Sequence, residues 1–256
     1  MSLSHILRPR IRLLLFTFIC TISLVFASLI NKEAVSAAGN TITVNSTSDV
    51  TNNADGLCTL REALIAANTN TASGAVAGEC AAGSSDGSDT IDLTGLTASI
   101  TLTSALPNIS SDMTLNGPGP GTLSIRRSNT FTIFTVSSSA TATISGLAVQ
   151  GGGPDPIYPG IVNSDNGTLN LTNCAVSGFG LGISNGSERT LTISNCVVSG
   201  NSSRGGISNF QGTVNLFNSV VSGNQSSEHG HQRGYAVSSV FRCRRYQYDH
   251  VYKRHL

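Results

Sequence analysis

Residues 167–178 read GTLNLTNCAVSG, residues 189–200 read RTLTISNCVVSG, and residues 212–223 read GTVNLFNSVVSG. Their starts lie 22 and 23 residues apart, and each copy follows a shorter echo: GIVN from Gly160, GISN from Gly182, GISN from Gly206. A fixed period of this length marks a stack of supersecondary units, each burying its apolar face against its neighbours. Within each copy apolar residues alternate with Thr, Ser and Asn, the period of two that belongs to a strand. Leu169 and Leu171 correspond to Leu191 and Ile193, then to Val214 and Leu216. Val176, Val198 and Val221 form a second interior column, and Ile161, Ile183 and Ile207 a third. Three short strands per period, separated by turns, predict one coil of a parallel β-helix, and so an all-β solenoid.

Stacked coils lie about 4.8 Å apart, so every residue column becomes a ladder. Asn173, Asn195 and Asn218 fall where a strand ends. Asn tolerates the left-handed backbone of a sharp bend, and stacked amides can hydrogen-bond along the axis. These three are therefore expected to form a structural ladder. Upstream, residues 140–151 (ATATISGLAVQG) fit the same template, starting 27 residues before the next copy. The surplus is absorbed by GGGPDPIYPG at 151–160, a flanking loop. Earlier alternating segments at 100–110, 113–125 and 131–136 read as irregular first coils.

The N-terminus has Arg8, Arg10 and Arg12, then the charge-free residues 13–30, then small residues at 34–38. That is the pattern of a secretory signal peptide cleaved near Ala37 or Ala38. An uncleaved anchor is the rival, and only then is this segment expected to hold the protein to a membrane. Residues 39–228 hold five arginines and no lysine against twelve acidic residues. Nucleic-acid binding needs a basic stripe and is excluded. The tail, 229–256, departs from the rest: it carries four of the five His and six of the 15 Lys and Arg. A basic interaction arm, a His-rich metal tract or a shifted reading frame would each produce it. The shifted frame is the reading adopted, and on it the tail adds no strand to the solenoid.

One convincing helix precedes the repeats. Thr59 and Glu62 form a capping box, and Leu60, Ala63, Leu64 and Ala67 make one buried stripe over 60–67, with Asn68 suiting the end. Such a helix is placed to cover the first coil's open edges and its apolar bore. Cys58-Thr59-Leu60-Arg61-Glu62-Ala63, with Ala66-Ala67-Asn68, Cys80 and Gly87-Ser88-Asp89-Thr90-Ile91, resembles the CSLREA-type module of secreted bacterial repeat proteins. Thr59 stands where that module usually has Ser. The downstream coils resemble the right-handed β-helix repeats of the same group, which overlaps with polymorphic outer-membrane and autotransporter-like proteins. The resemblance implies a secreted or surface-displayed solenoid used in adhesion or envelope structure, and this chain reads as a truncated member. The organisation expected is a signal peptide at 1–38, a capping module at 39–89, β-helix repeats at 90–228 and the tail.

Export implies an oxidising compartment. Cys58 and Cys80 flank the helix and the flexible stretch after it, and a disulfide there would fix the helix to the sheet. Cys174 and Cys196 share a column with Ser219, which favours a stack of small residues over a bridge. Polysaccharide lyases and hydrolases also use β-helices, and their sites need converging carboxylates or calcium-holding acids beside a base. Here Asp165, Glu188 and Arg204 share no column, and Arg126 and Arg127 point to opposite faces. Asp86, Asp89 and Asp92 sit in a Gly/Ser-rich turn and read as turn formers before calcium ligands. The expectation is therefore a non-catalytic protein without cofactor or metal, meeting surface glycans or other cell-surface proteins. A carbohydrate-active β-helix enzyme is the alternative.

Overall fold

The computed structural model describes residues 39–85, 87–153 and 157–225, together with two strands at Tyr235–Ala236 and Tyr246–Gln247. The segment expected to be a signal peptide, with Cys20, Ala37 and Ala38, and Asp86, His229, His231 and Cys243 lie outside the described residues.

The alternating stretches become strands of three parallel sheets, stacked as a β-solenoid of about five turns. The first sheet takes one strand from every coil: β1 (Thr41–Thr43), β2 (Asp89–Asp92), β4 (Met113–Asn116), β7 (Thr141–Ser145), β10 (Thr168–Thr172), β13 (Thr190–Ser194) and β16 (Thr213–Phe217). The second stacks β3 (Ala98–Leu102), β5 (Leu123–Arg127), β8 (Ala148–Gln150), β11 (Ala175–Ser177), β14 (Val197–Ser199) and β17 (Val220–Ser222). The third stacks β6 (Phe134–Val136), β9 (Ile161–Asn163), β12 (Leu181–Asn185) and β15 (Gly205–Asn209).

The register is that of the repeats. Leu169 pairs with Leu191 and Leu191 with Val214, Val176 with Val198 and Val198 with Val221, and Ile161 with Ile183 and Ile183 with Ile207. All these side chains are buried, so each aliphatic column is one wall of a continuous bore. A fully buried Val, Leu or Ile contributes about 1.5–3 kcal/mol, which makes these columns the main source of stability. Phe179 is the largest fully buried side chain of the later coils. It fits because Gly160 lies against its ring, where an added Cβ would come within 2.6 Å of the ring carbon Cε2.

The helix α1 (Leu60–Thr69) carries the expected capping box, and Leu60, Ala63, Leu64, Ala66 and Ala67 are buried. It runs two residues further than the sequence predicts. Asn70, with φ 53°, supplies the left-handed C-cap that Asn68 was expected to give. The backbone N–H of Asn70 bonds Ala66 O, which closes the helix there, while the Asn68 side chain bonds the first coil.

The tail departs from expectation in a second way. β18 (Tyr235–Ala236) pairs antiparallel with β15, and β19 (Tyr246–Gln247) antiparallel with β16. The open edge of a sheet offers unpaired N–H and C=O groups to any extended segment, and these two two-residue strands pair with it. They run against the parallel order of every other strand pair described.

Candidate functional site

Three groups of side chains decide what this scaffold can do: the cap, the polar columns inside the bore, and the outer face of the first sheet.

In the cap, each residue of the hexapeptide has a structural task. Cys58 is bonded to Cys80, as expected, with Cα atoms 4.7 Å apart. Thr59 accepts the Glu62 N–H, while Glu62 Oε2 takes the Thr59 N–H at 3.0 Å and Glu62 Oε1 takes the Asn52 N–H at 2.6 Å. Leu60 and Ala63 enter the core. Arg61 crosses to the first coil: Nη1 donates to Ala105 O at 2.7 Å and Nη2 to Ser104 O at 2.9 Å. Its other partner is Asp49, at 2.8 Å, whose second carboxylate oxygen takes the Thr103 N–H at 2.6 Å. Asn68 donates to Asn108 O at 2.7 Å and accepts from Ser110 N at 3.0 Å. The helix and the loop before it thus supply, through Arg61, Asn68 and Asp49, the partners that a preceding coil would have given the backbone at 103–110.

Asn173, Asn195 and Asn218 sit at the predicted bends, with φ of 50°, 55° and 46°, and Gly146 occupies the same corner one coil earlier with φ 66°. Their side chains are exposed, and the amide-to-amide hydrogen bonds along the axis belong to another column. The corner turns on this one residue, and its left-handed backbone aims the side chain outward. The ladder lies elsewhere. Asn163 Nδ2 donates to Asn185 Oδ1 at 2.8 Å, Asn185 Nδ2 to Asn209 Oδ1 at 2.7 Å, and Asn209 Nδ2 to Gly212 O at 2.7 Å. A second pair, Asn201 and Asn224, is linked at 2.8 Å, and their carbonyl oxygens take the N–H groups of Phe179 and Asn201. The signal was present in the last letter of the GIVN and GISN echoes. Asn185 is two residues from the inward Ile183, so alternation puts it inside.

Cys174 and Cys196 are free and buried, stacked above Ser219. The stack has a chemical logic. Each corner amide donates to the side chain one coil below: Cys174 N to Cys196 Sγ at 3.2 Å, and Cys196 N to Ser219 Oγ at 3.1 Å. The hydrogen bond to Cys174 and burial together push the Cys196 thiol well above its ordinary range. A protonated, buried thiol is a poor nucleophile and a poor metal ligand.

The residues weighed for catalysis stay apart. Asp165 and Glu188 are exposed in the turn entering the first sheet, on neighbouring coils but one position out of step. Arg204 is exposed between β14 and β15. Arg126 is exposed while Arg127 is buried, as strand alternation predicts, and the Arg127 guanidinium lies 4.9 Å from the Phe179 ring centroid. Asp89 is buried and accepts the N–H groups of Asn40 and Ser84, each at 2.9 Å, and Asp92 accepts from Thr94. Both act as turn and edge formers. Among the described residues no three His, Cys, Asp or Glu side chains come together as metal ligands, and no helix is long and apolar enough to cross a membrane.

The outer face of the first sheet is left. Thr141, Thr168, Thr190 and Thr213 pair in register along one column, and Thr143, Asn170, Thr192 and Asn215 along the next. Alternation turns these side chains outward, while Ala142, Leu169, Leu191 and Val214 between them are buried. Ser145, Thr172 and Ser194 form a third column, which ends at Phe217.

No family model matches the chain, and neither the curated proteins nor the solved structures compared with it include a match.

Proposed function

We propose that this is a non-catalytic secreted or cell-surface β-helix protein serving adhesion or envelope structure, built on a CSLREA-type capping module. The observation that carries the reading is how the polar side chains are used. Those of the cap hexapeptide and of the interior columns are spent on one another and on backbone groups of the fold itself. Among the described residues, Asp165, Glu188 and Arg204 of the repeats stand in separate turns. What is offered outward is extended, repetitive and nearly uncharged, which suits contact with a surface better than turnover of a small ligand. The Cys58–Cys80 disulfide fits an oxidising compartment, and the Arg-flanked apolar leader fits export.

Expression of the full chain with its own leader in a bacterial host tests this. The expected result is extracellular or surface-bound protein whose N-terminus begins after Ala37 or Ala38, and which releases no reducing or unsaturated ends from pectin or alginate. Release of such ends that disappears in Asp165→Asn would transfer the protein to the carbohydrate-active enzymes. Retention of the whole chain in the cytoplasm would remove the surface role.

A further inference from the structure

We propose that the outer face of the first sheet, over β7, β10, β13 and β16, is an ice-binding surface. The argument starts from register. These four strands pair residue for residue, with no bulge, so their outward side chains form a two-dimensional grid. Its repeat is about 4.8 Å along the solenoid axis and about 6.5 Å along the strands. Threonine dominates it, and a β-branched side chain is stiff at χ1. Each Thr therefore presents one methyl and one hydroxyl with little freedom to lose. The partner that gains most from such a grid is one that is itself periodic in two dimensions.

Charge complementarity selects among periodic partners. The outward positions of these four strands carry no charged residue. An ionic mineral or an anionic polymer needs charged side chains in register with its own, and the carboxylates beside the grid, Asp112, Asp165 and Glu188, lie on its rim, Asp112 accepting the Thr141 N–H at 2.7 Å. Crystalline polysaccharide is held by stacking on aromatic platforms, since an aromatic ring offers large, rigid contact area. This face has one aromatic residue, Phe217, on its last described coil, and the chain has no tryptophan. Ice is neutral, and its surface offers hydrogen-bond donors and acceptors at fixed intervals. A neutral hydroxyl grid meets it without desolvating an ion, which would be costly. The inference stands on this face alone and does not require export or adhesion to be right.

The test uses the purified full chain with its disulfide formed. Single ice crystals are grown in its presence, the gap between freezing and melting is measured, and its uptake into a slowly advancing ice front is followed. Thr143→Tyr and Thr192→Tyr put a bulky group on the grid at outward positions. Val197→Tyr puts the same group on the outer surface of the second sheet, where Val197 is 44 % exposed. Circular dichroism and thermal melting confirm that each variant is folded. Faceted crystals, a measurable hysteresis gap and uptake into ice are expected for the wild type and for Val197→Tyr, with loss of all three in the Thr variants. Unshaped crystals and exclusion of the wild type from ice would overturn the proposal, as would Thr192→Tyr behaving like wild type. Retention on microcrystalline cellulose or chitin without ice shaping would assign the face to a polysaccharide and overturn it equally.

Discussion

Asn185 and Asn195 lie ten residues apart and do unlike work. Asn195 is exposed, and its contribution is a backbone that accepts φ of 55°. Asn195→Ala should therefore cost about 1 kcal/mol, the penalty of a left-handed alanine, and Asn195→Gly should be close to neutral. Asn185 is buried, accepts from Asn163, and donates to Asn209 and to the Arg189 and Thr213 carbonyls. Asn185→Ala strands partners on both neighbouring coils and leaves a cavity, so urea unfolding should show a loss of about 2–4 kcal/mol. Equal losses at the two positions would contradict this division. Cys196 adds a pH dependence, opposed by Cys174, whose thiol pKa is lowered by its hydrogen bond with Cys196. Native Cys196 keeps its proton, whereas an unfolded thiol loses it near pH ~8.5. Its stabilising effect is complete below that value. As pH rises above it the unfolded state sheds a proton that the native state retains, so stability should fall. Cys196→Ser should lessen that fall between about pH 8 and 10, measured by urea midpoints. At this scale the sequence was legible where periodicity speaks. Val176, Val198 and Val221, and the Cys174–Cys196–Ser219 column, lie where alternation puts them. The inward Asn residues were not recognised, because a polar letter in an alternating pattern reads as outward unless its parity is counted.

The cap shows the same division within one element. The capping box and the apolar stripe of α1 follow from local chemistry, since an N-cap oxygen, a Glu three residues on and the 3.6-residue spacing are all visible in the chain. What Arg61 and Asn68 do was not visible, because their partners at Ser104, Ala105, Asn108 and Ser110 lie some 40 residues away in sequence. Arg61 spans two carbonyls and the buried Asp49 carboxylate with a planar fork that lysine cannot reproduce. Arg61→Ala should cost about 3 kcal/mol, chiefly by leaving Asp49 without its cation, and Arg61→Lys should recover only part of it. Amide exchange should report the damage at 103–110 before any later coil. Uniform loosening of the whole solenoid would show instead that the cap does not act locally. Reduction of Cys58–Cys80 should add a separate loss of about 3 kcal/mol, because the bond closes a loop of 22 residues.

For the molecule as a whole, a solenoid behaves as a one-dimensional chain of coils, each stabilised by its own core and by its neighbours. Its two ends are unlike. The N-terminal end is closed by a disulfide-bonded helix whose side chains bond the first coil at several points. At the other end the described cover is four residue pairs, Ser208 with Ala236, Asn209 with Tyr235, Asn215 with Gln247 and Leu216 with Tyr246. Their antiparallel direction cannot continue the parallel ladder, so they close an edge without adding a coil. Val214 and Leu216, at 8 % exposure, are the least buried members of the aliphatic columns they end. Removing residues 229–256 should therefore loosen the last coil and little else. Amides of β15 and β16 should exchange markedly faster, those around Val198 should keep their wild-type protection, and the main thermal transition should shift only slightly. The freed edge should also promote association, seen as concentration-dependent growth in light scattering that the full chain does not show. Loss of protection reaching back to β13 and β14 would mean that the tail supports two coils. It would then be a true cap, and the sequence reading of a foreign, shifted-frame segment would be wrong.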